Sequence, residues 1–139
     1  MTEAEACAEA LWAQDYASQG LGMVVEHVSS GEATLTIAIT NRMLNGHGTS
    51  HGGFIFTLAD SAFAFACDSQ NEVTVAAHCQ ISFLRPARLG ETLNAHAVER
   101  YREGRTGLYD VRITAGPHVI AEFRGHSRPT GQAVFTCVI

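Results

Sequence analysis

The 139-residue chain contains no lysine, only three prolines and no apolar run long enough to cross a bilayer. Each shortage excludes something. Without lysine there can be no G-x-x-x-x-G-K-[ST] phosphate loop. The longest apolar stretch, Gly52 to Cys67, carries Asp60 inside it and falls short of the eighteen or so residues of a membrane helix, so no membrane partner is expected. The four cysteines, Cys7, Cys67, Cys79 and Cys137, form no C-x-x-C pair, and no signal-peptide pattern accompanies them. Reduced thiols in a cytoplasmic protein are expected. A net charge of -5 supplies no broad positive field, which argues against nucleic acid. What is present is a 46% hydrophobic composition in a length that suits one domain, spanning 1–139, with a sizeable core.

The charge is unevenly divided. Residues 1–72 hold Arg42 against nine acids, whereas residues 73–139 hold the other eight arginines against five. The second half could therefore meet an anion, including a phosphorylated one.

Thr2 and Glu5 have capping-box spacing, and alanines at helical intervals predict a first helix over about 3–18. Branched residues from 21 to 29 and strict alternation from 34 to 40 predict a hairpin turning at Ser29 to Glu32. A loop rich in Gly, His, Asn and Ser follows from 41 to 53. It opens into Phe54 to Cys67, where Ala, Leu and Phe on nearly every face predict a fully buried helix. Four strands are expected over about 73–84, 92–102, 107–115 and 119–127, with an irregular tail from Pro129. One helix buried by one curved antiparallel sheet predicts an α+β hot-dog fold. Its edge strand and open sheet face call for oligomerisation.

Asp60 is the only ionisable residue between Gly52 and Cys67. Burying an unpaired carboxylate is costly, so it reads either as a general base or nucleophile or as a group satisfied by a polar seam, Thr57 or Ser61. Upstream, His47 and His51 have no third ligand within their loop, and no metal is expected. Gly52 and Gly53 begin the helix, where free amides can hold an oxyanion, or where glycine simply permits a tight turn. Eight positions separate Gly52 from Asp60, about 12 Å along one helix. If both act on one carbonyl, the amide and the carboxylate must come from different subunits.

MLNGHGTSHGG (43–53), FTLADSAFAFACDSQ (56–70), ISFLRPARLGETL (81–93), EGRTGLYDV (103–111) and FRGHS (123–127) resemble the PaaI-type hot-dog acyl-CoA thioesterases of phenylacetate degradation. The resemblance implies Asp60 as the catalytic base or nucleophile, Gly52 as the oxyanion amide, and Asn45 and His51 as residues near the thioester. It implies hydrolysis of phenylacetyl-CoA or its ring-hydroxylated relatives without metal or cofactor. It also implies a homotetramer built as a dimer of dimers, with active sites at the dimer interface. For the CoA moiety it points to Arg105, with Arg85, Arg88, Arg124 and Ser127 as further contacts. Asn45 could instead shape its loop, and His51 could make a structural hydrogen bond. Two other functions fit the same fold: a hydratase or dehydratase, which would bring His47 or His51 beside Asp60, and a non-catalytic acyl-CoA-binding module.

Overall fold

The computed structural model describes residues 1–136; Cys137 lies outside them. Helix α1 (Glu3–Gln14) begins at the Thr2 capping box, in which the Glu5 amide donates to Thr2 Oγ1 and the Thr2 amide donates to the Glu5 carboxylate. The expected single helix is in fact two. Asp15 leaves helical geometry and caps a short α2 (Tyr16–Gly20) by accepting the Ser18 amide at 3.0 Å.

Strands β1 (Val24–Ser29), β2 (Glu32–Ala38), β3 (Thr74–Phe83), β4 (Thr92–Glu103), β5 (Thr106–Ala115) and β6 (His118–Pro129) form one antiparallel sheet in the order β1-β2-β4-β5-β6-β3. The last strand runs through Pro129, two residues beyond the expected end at Ser127. The first begins only at Val24, because Gly22 turns the chain at a φ of 76°.

Helix α3 (Gly52–Cys67) lies in the curve of this sheet. Its Leu58, Ala59, Ala62, Phe63 and Ala66 pack against Leu35 and Ile37 of β2, Leu93 and Ala95 of β4, Val111 and Ile113 of β5, and Phe123 of β6. Gly125 on β6 lets the helix come close, since a Cβ there would stand 2.8 Å from the Phe63 ring. This is the α+β hot-dog arrangement. No helix among the described residues is long and apolar enough to cross a membrane.

The helix is not wholly enclosed. Gly53 is exposed, and Thr57, Asp60 and Ala64 are only partly buried. Their spacing places them along one stripe of α3. Thr57 and Asp60 are its only polar marks, and Ala, Leu and Phe on the surrounding positions make so narrow a stripe read as part of a fully buried helix. The strand beside it, β3, is a sheet edge, with Val75 51% and Phe83 53% exposed.

Candidate active site

Asp60 sits in the open stripe of α3, half-buried. Burial raises its carboxyl above the usual carboxylate range, and the nearby negative charge of Asp15 raises it further, with no hydrogen bond or cation among the described residues to offset either. Across from it on β3 is Cys79, whose thiol is pushed up first by burial and then by the Asp60 charge. Asp60 therefore faces the edge strand.

The helix N-terminus faces the same strand. A Cβ on Gly52 would stand 3.2 Å from the Phe83 ring, and Gly52 and Phe83 line a cleft of about 400 Å³ with Ser50, Ile55, Leu84 and Arg85. The Gly52 amide finds no acceptor among the described residues, as expected for the first N–H of a helix. The Gly53 amide is taken by His51, the N-cap, whose Nδ1 accepts it at 3.4 Å. His51 thus holds the helix start.

Asn45 organises its own loop. Its Oδ1 accepts the amides of His47 (2.9 Å) and Thr49 (3.2 Å), while its Nδ2 donates to Thr49 Oγ1 at 3.2 Å. One Nδ2 hydrogen is left for another acceptor. The loop is pinned to the segment after β3, where the Ser50 amide donates to the Ala87 carbonyl at 2.8 Å. Gly52, His51 and Asn45 are thereby brought together, and Asp60 stands two helical turns away. Neither His47 nor His51 shares a helical turn with Asp60 in one chain, so the acid–histidine pair of a hydratase is not formed within it.

The basic residues fall into separate groups. Arg85 lines the cleft, its Nη1 2.8 Å from His118 Nδ1, and Arg88 is exposed in the loop that bridges to Thr49. Arg105 is exposed in the β4–β5 turn. Arg124 is committed to Asp110, at 2.6 and 2.9 Å, and holds that carboxyl below its usual range. Ser127 does not join them. It is 6% exposed, and a Cβ on Gly107 would stand 2.2 Å from its Oγ. It neighbours the thiol of Cys67, which burial pushes up to about 12. An alternating strand cannot turn both Arg124 and Ser127 to one face, and here Ser127 points inward. Phe83, Cys79 and Asp15 escape a sequence reading because only the packing of β3 and α2 on α3 brings them to the site.

The thioesterase superfamily model matches residues 47–122, which includes the His51 cap, Gly52, Asp60 and β3. The chain belongs to this family. It is 41% identical over 128 residues to the acyl-coenzyme A thioesterase PaaI of Escherichia coli, with 91% of each chain covered. The solved structure of E. coli PaaI, from the phenylacetic acid degradation operon, superimposes with a TM-score of 0.93 over 94% of this chain and 96% of that one. A more distant member, smu.793 from Streptococcus mutans, solved with acetyl CoA bound, is 25% identical at a TM-score of 0.78, covering 81% of this chain and 91% of its own.

Proposed function

We propose that this thioester hydrolase converts acyl-CoA and water to free acid and CoA, with phenylacetyl-CoA and its ring-hydroxylated relatives as preferred substrates. The observation that carries the reading is a pair of unsatisfied groups aimed at one edge strand: the Gly52 amide beside Phe83 and the Asp60 carboxylate beside Cys79. Thioester hydrolysis needs these two functions, a donor for the oxyanion and a base or nucleophile for the attack. The 41% identity to an enzyme named an acyl-CoA thioesterase, whose structure is described as coming from a phenylacetic acid operon, supports the substrate class.

The two groups act together across a two-fold axis. Gly52 to Asp60 is about 12 Å along the helix. Phe83 to Cys79, running the opposite way on β3, is four residues or about 13 Å. Because the spans match, pairing β3 with its copy about an axis near Ile81 places Cys79 of one subunit opposite Phe83 of the other. The Asp60 carboxylate of one subunit then meets the Gly52 amide of its partner at both ends of the axis. This pairing also covers the exposed β3 edge. The assembled enzyme is a cytoplasmic homotetramer, a dimer of such dimers.

In the reaction, the Gly52 amide accepts the charge that develops on the thioester oxygen. Either Asp60 takes a proton from the water that attacks the carbonyl and passes it to the departing CoA sulfur, or Asp60 attacks the carbonyl itself, the CoA thiolate leaves, and water then cleaves the mixed anhydride to free acid and the regenerated carboxylate. His51 keeps the helix start in register, and Asn45 presents its remaining amide hydrogen near the carbonyl. Arg85 and Arg88 flank the Gly52 end and meet CoA phosphates there. Arg105 lies in a turn remote from that end and would have to come from another subunit.

Thiol release from a panel of acyl-CoAs tests this. Phenylacetyl-CoA and hydroxyphenylacetyl-CoA should give the highest kcat/KM, above straight-chain acyl groups of similar length. No thiol release from any member of the panel would refute the hydrolase reading.

A further inference from the structure

The N-terminal helices lie outside the 47–122 family match, yet they contact α3 beside Asp60. Ser18 in α2 is 1% exposed, and its Oγ lies 2.8 Å from Oγ of Ser61, the residue after Asp60. Ser18 Oγ is also 2.7 Å from the Asp15 carboxylate. A carboxylate only accepts, so Ser18 gives its proton to Asp15 and Ser61 gives its own to Ser18. This one-way chain ties the α3 turn that carries Asp60 to α2. One α-helical turn further along, Phe65 meets the Trp12 ring of α1 at a centroid distance of 6.4 Å, a second anchor.

We propose that α1 and α2 are part of the catalytic apparatus, with Asp15 as a positioning residue that fixes the Asp60 turn and holds a second negative charge beside it. The inference rests on the hydrolytic role given to Asp60 above. Two titratable groups bear on Asp60 within the described chain, Asp15 from the α1–α2 junction and Cys79 from β3. The faces of β2, β4, β5 and β6 toward α3 are apolar except for Tyr109 on β5, which meets Phe63 and donates its hydroxyl to Glu99 of β4 at 2.8 Å, and the buried Ser127 on β6. Of the two, Asp15 is the one whose charge raises the Asp60 carboxyl, and no cation among the described residues offsets it. Its consequence is a carboxylate that keeps its proton to higher pH, which sets where hydrolysis switches on as the solution becomes less acid.

Asp15→Asn separates charge from scaffold. The amide oxygen still accepts the Ser18 N–H, asparagine being as good a cap as aspartate. Its NH2 group can donate to Ser18 Oγ, reversing the hydroxyl chain without breaking it. The acid limb of the kcat/KM profile for phenylacetyl-CoA should move to lower pH, so that on that limb the variant runs about two- to three-fold higher than wild type when each is expressed relative to its own alkaline plateau. Ser61→Ala cuts the chain and keeps the charge. It should lower kcat by roughly 3- to 30-fold and leave the profile midpoint in place.

The chain has four aspartates, so carboxyl-carbon NMR of protein labelled at aspartate can follow Asp60 directly. The Asp60 midpoint should fall to lower pH in Asp15→Asn whether or not a substrate has been found. Superimposable Asp60 titrations in wild type and Asp15→Asn would overturn the coupling, and an unchanged kcat in Ser61→Ala would overturn the positioning role. If no acyl-CoA is hydrolysed, the hydrolase reading fails, while the NMR titration still decides the coupling.

Discussion

Replacing Asp60 with asparagine should lower kcat for acyl-CoA hydrolysis by about 10²–10⁴-fold, the usual contribution of a positioned acid–base group, and should also raise the melting temperature at neutral pH. The second effect follows from the direction of the Asp60 shift. Its carboxyl is raised in the folded chain, by burial and by Asp15, so ionising it favours the unfolded chain. Above the folded-state value the penalty is complete and constant. It shrinks as the pH falls toward the ordinary carboxylate value, below which both states hold the proton and the penalty is gone. Asparagine carries no such penalty. Thermal melts of the two proteins should therefore differ most at neutral pH and converge in acid. A folded Asp60→Asn protein with unchanged kcat would remove Asp60 from the chemistry, and a lower melting temperature at neutral pH would remove the electrostatic account of the site.

Gly52→Pro should cost roughly 10²–10³-fold in kcat, the loss expected when one oxyanion donor is deleted, while the protein stays folded. Proline is favoured at the first helical position because the N–H it lacks has no intrahelical partner. The residue before it must be extended, and His51 already has φ -59° and ψ 135°. Proline also adds atoms toward Phe83, so Gly52→Ala is the necessary comparison. Alanine keeps the amide and places only a Cβ 3.2 Å from the Phe83 ring, a contact relieved by a shift of a few tenths of an ångström. The alanine protein should retain kcat to within about tenfold. Equal rates for the two variants, measured by thiol release with circular dichroism as the folding control, would assign the effect to bulk and not to the N–H.

Periodicity and turn chemistry revealed most of the fold. The alternation of Leu35, Ile37 and Ile39, the glycine turns and the apolar run before Cys67 were enough to expect a sheet wrapped around one helix. Strand order was not legible, because pairing β2 with β4 and placing β3 at the edge are long-range choices that leave no local mark. The break at Asp15 was missed because alanine periodicity continues through it, although Asp15 three residues before Ser18 is itself a capping spacing. At the site, Asp60 and Gly52 stood out by chemical isolation. Ser127 was misleading: strand parity turns it into the core, away from Arg124, and only the register of β6 against β5 reveals this. Asn45 and His51 were visible as residues, but their bonds within the loop and to the helix start depend on backbone geometry that spacing does not encode.

Sharing of each active site between two subunits is tested most directly by mixing the two defective chains. Asp60→Asn and Gly52→Pro chains, each nearly inactive alone, can be co-expressed so that they assemble at random. A mixed dimer then contains one site with an intact Gly52 from the first chain and an intact Asp60 from the second, and one site lacking both. With half of the dimers mixed and one of two sites restored in each, thiol release should recover to about a quarter of the wild-type rate per chain. Activity that stays at the level of the separate variants would place Gly52 and Asp60 in one site of one chain and contradict the shared interface.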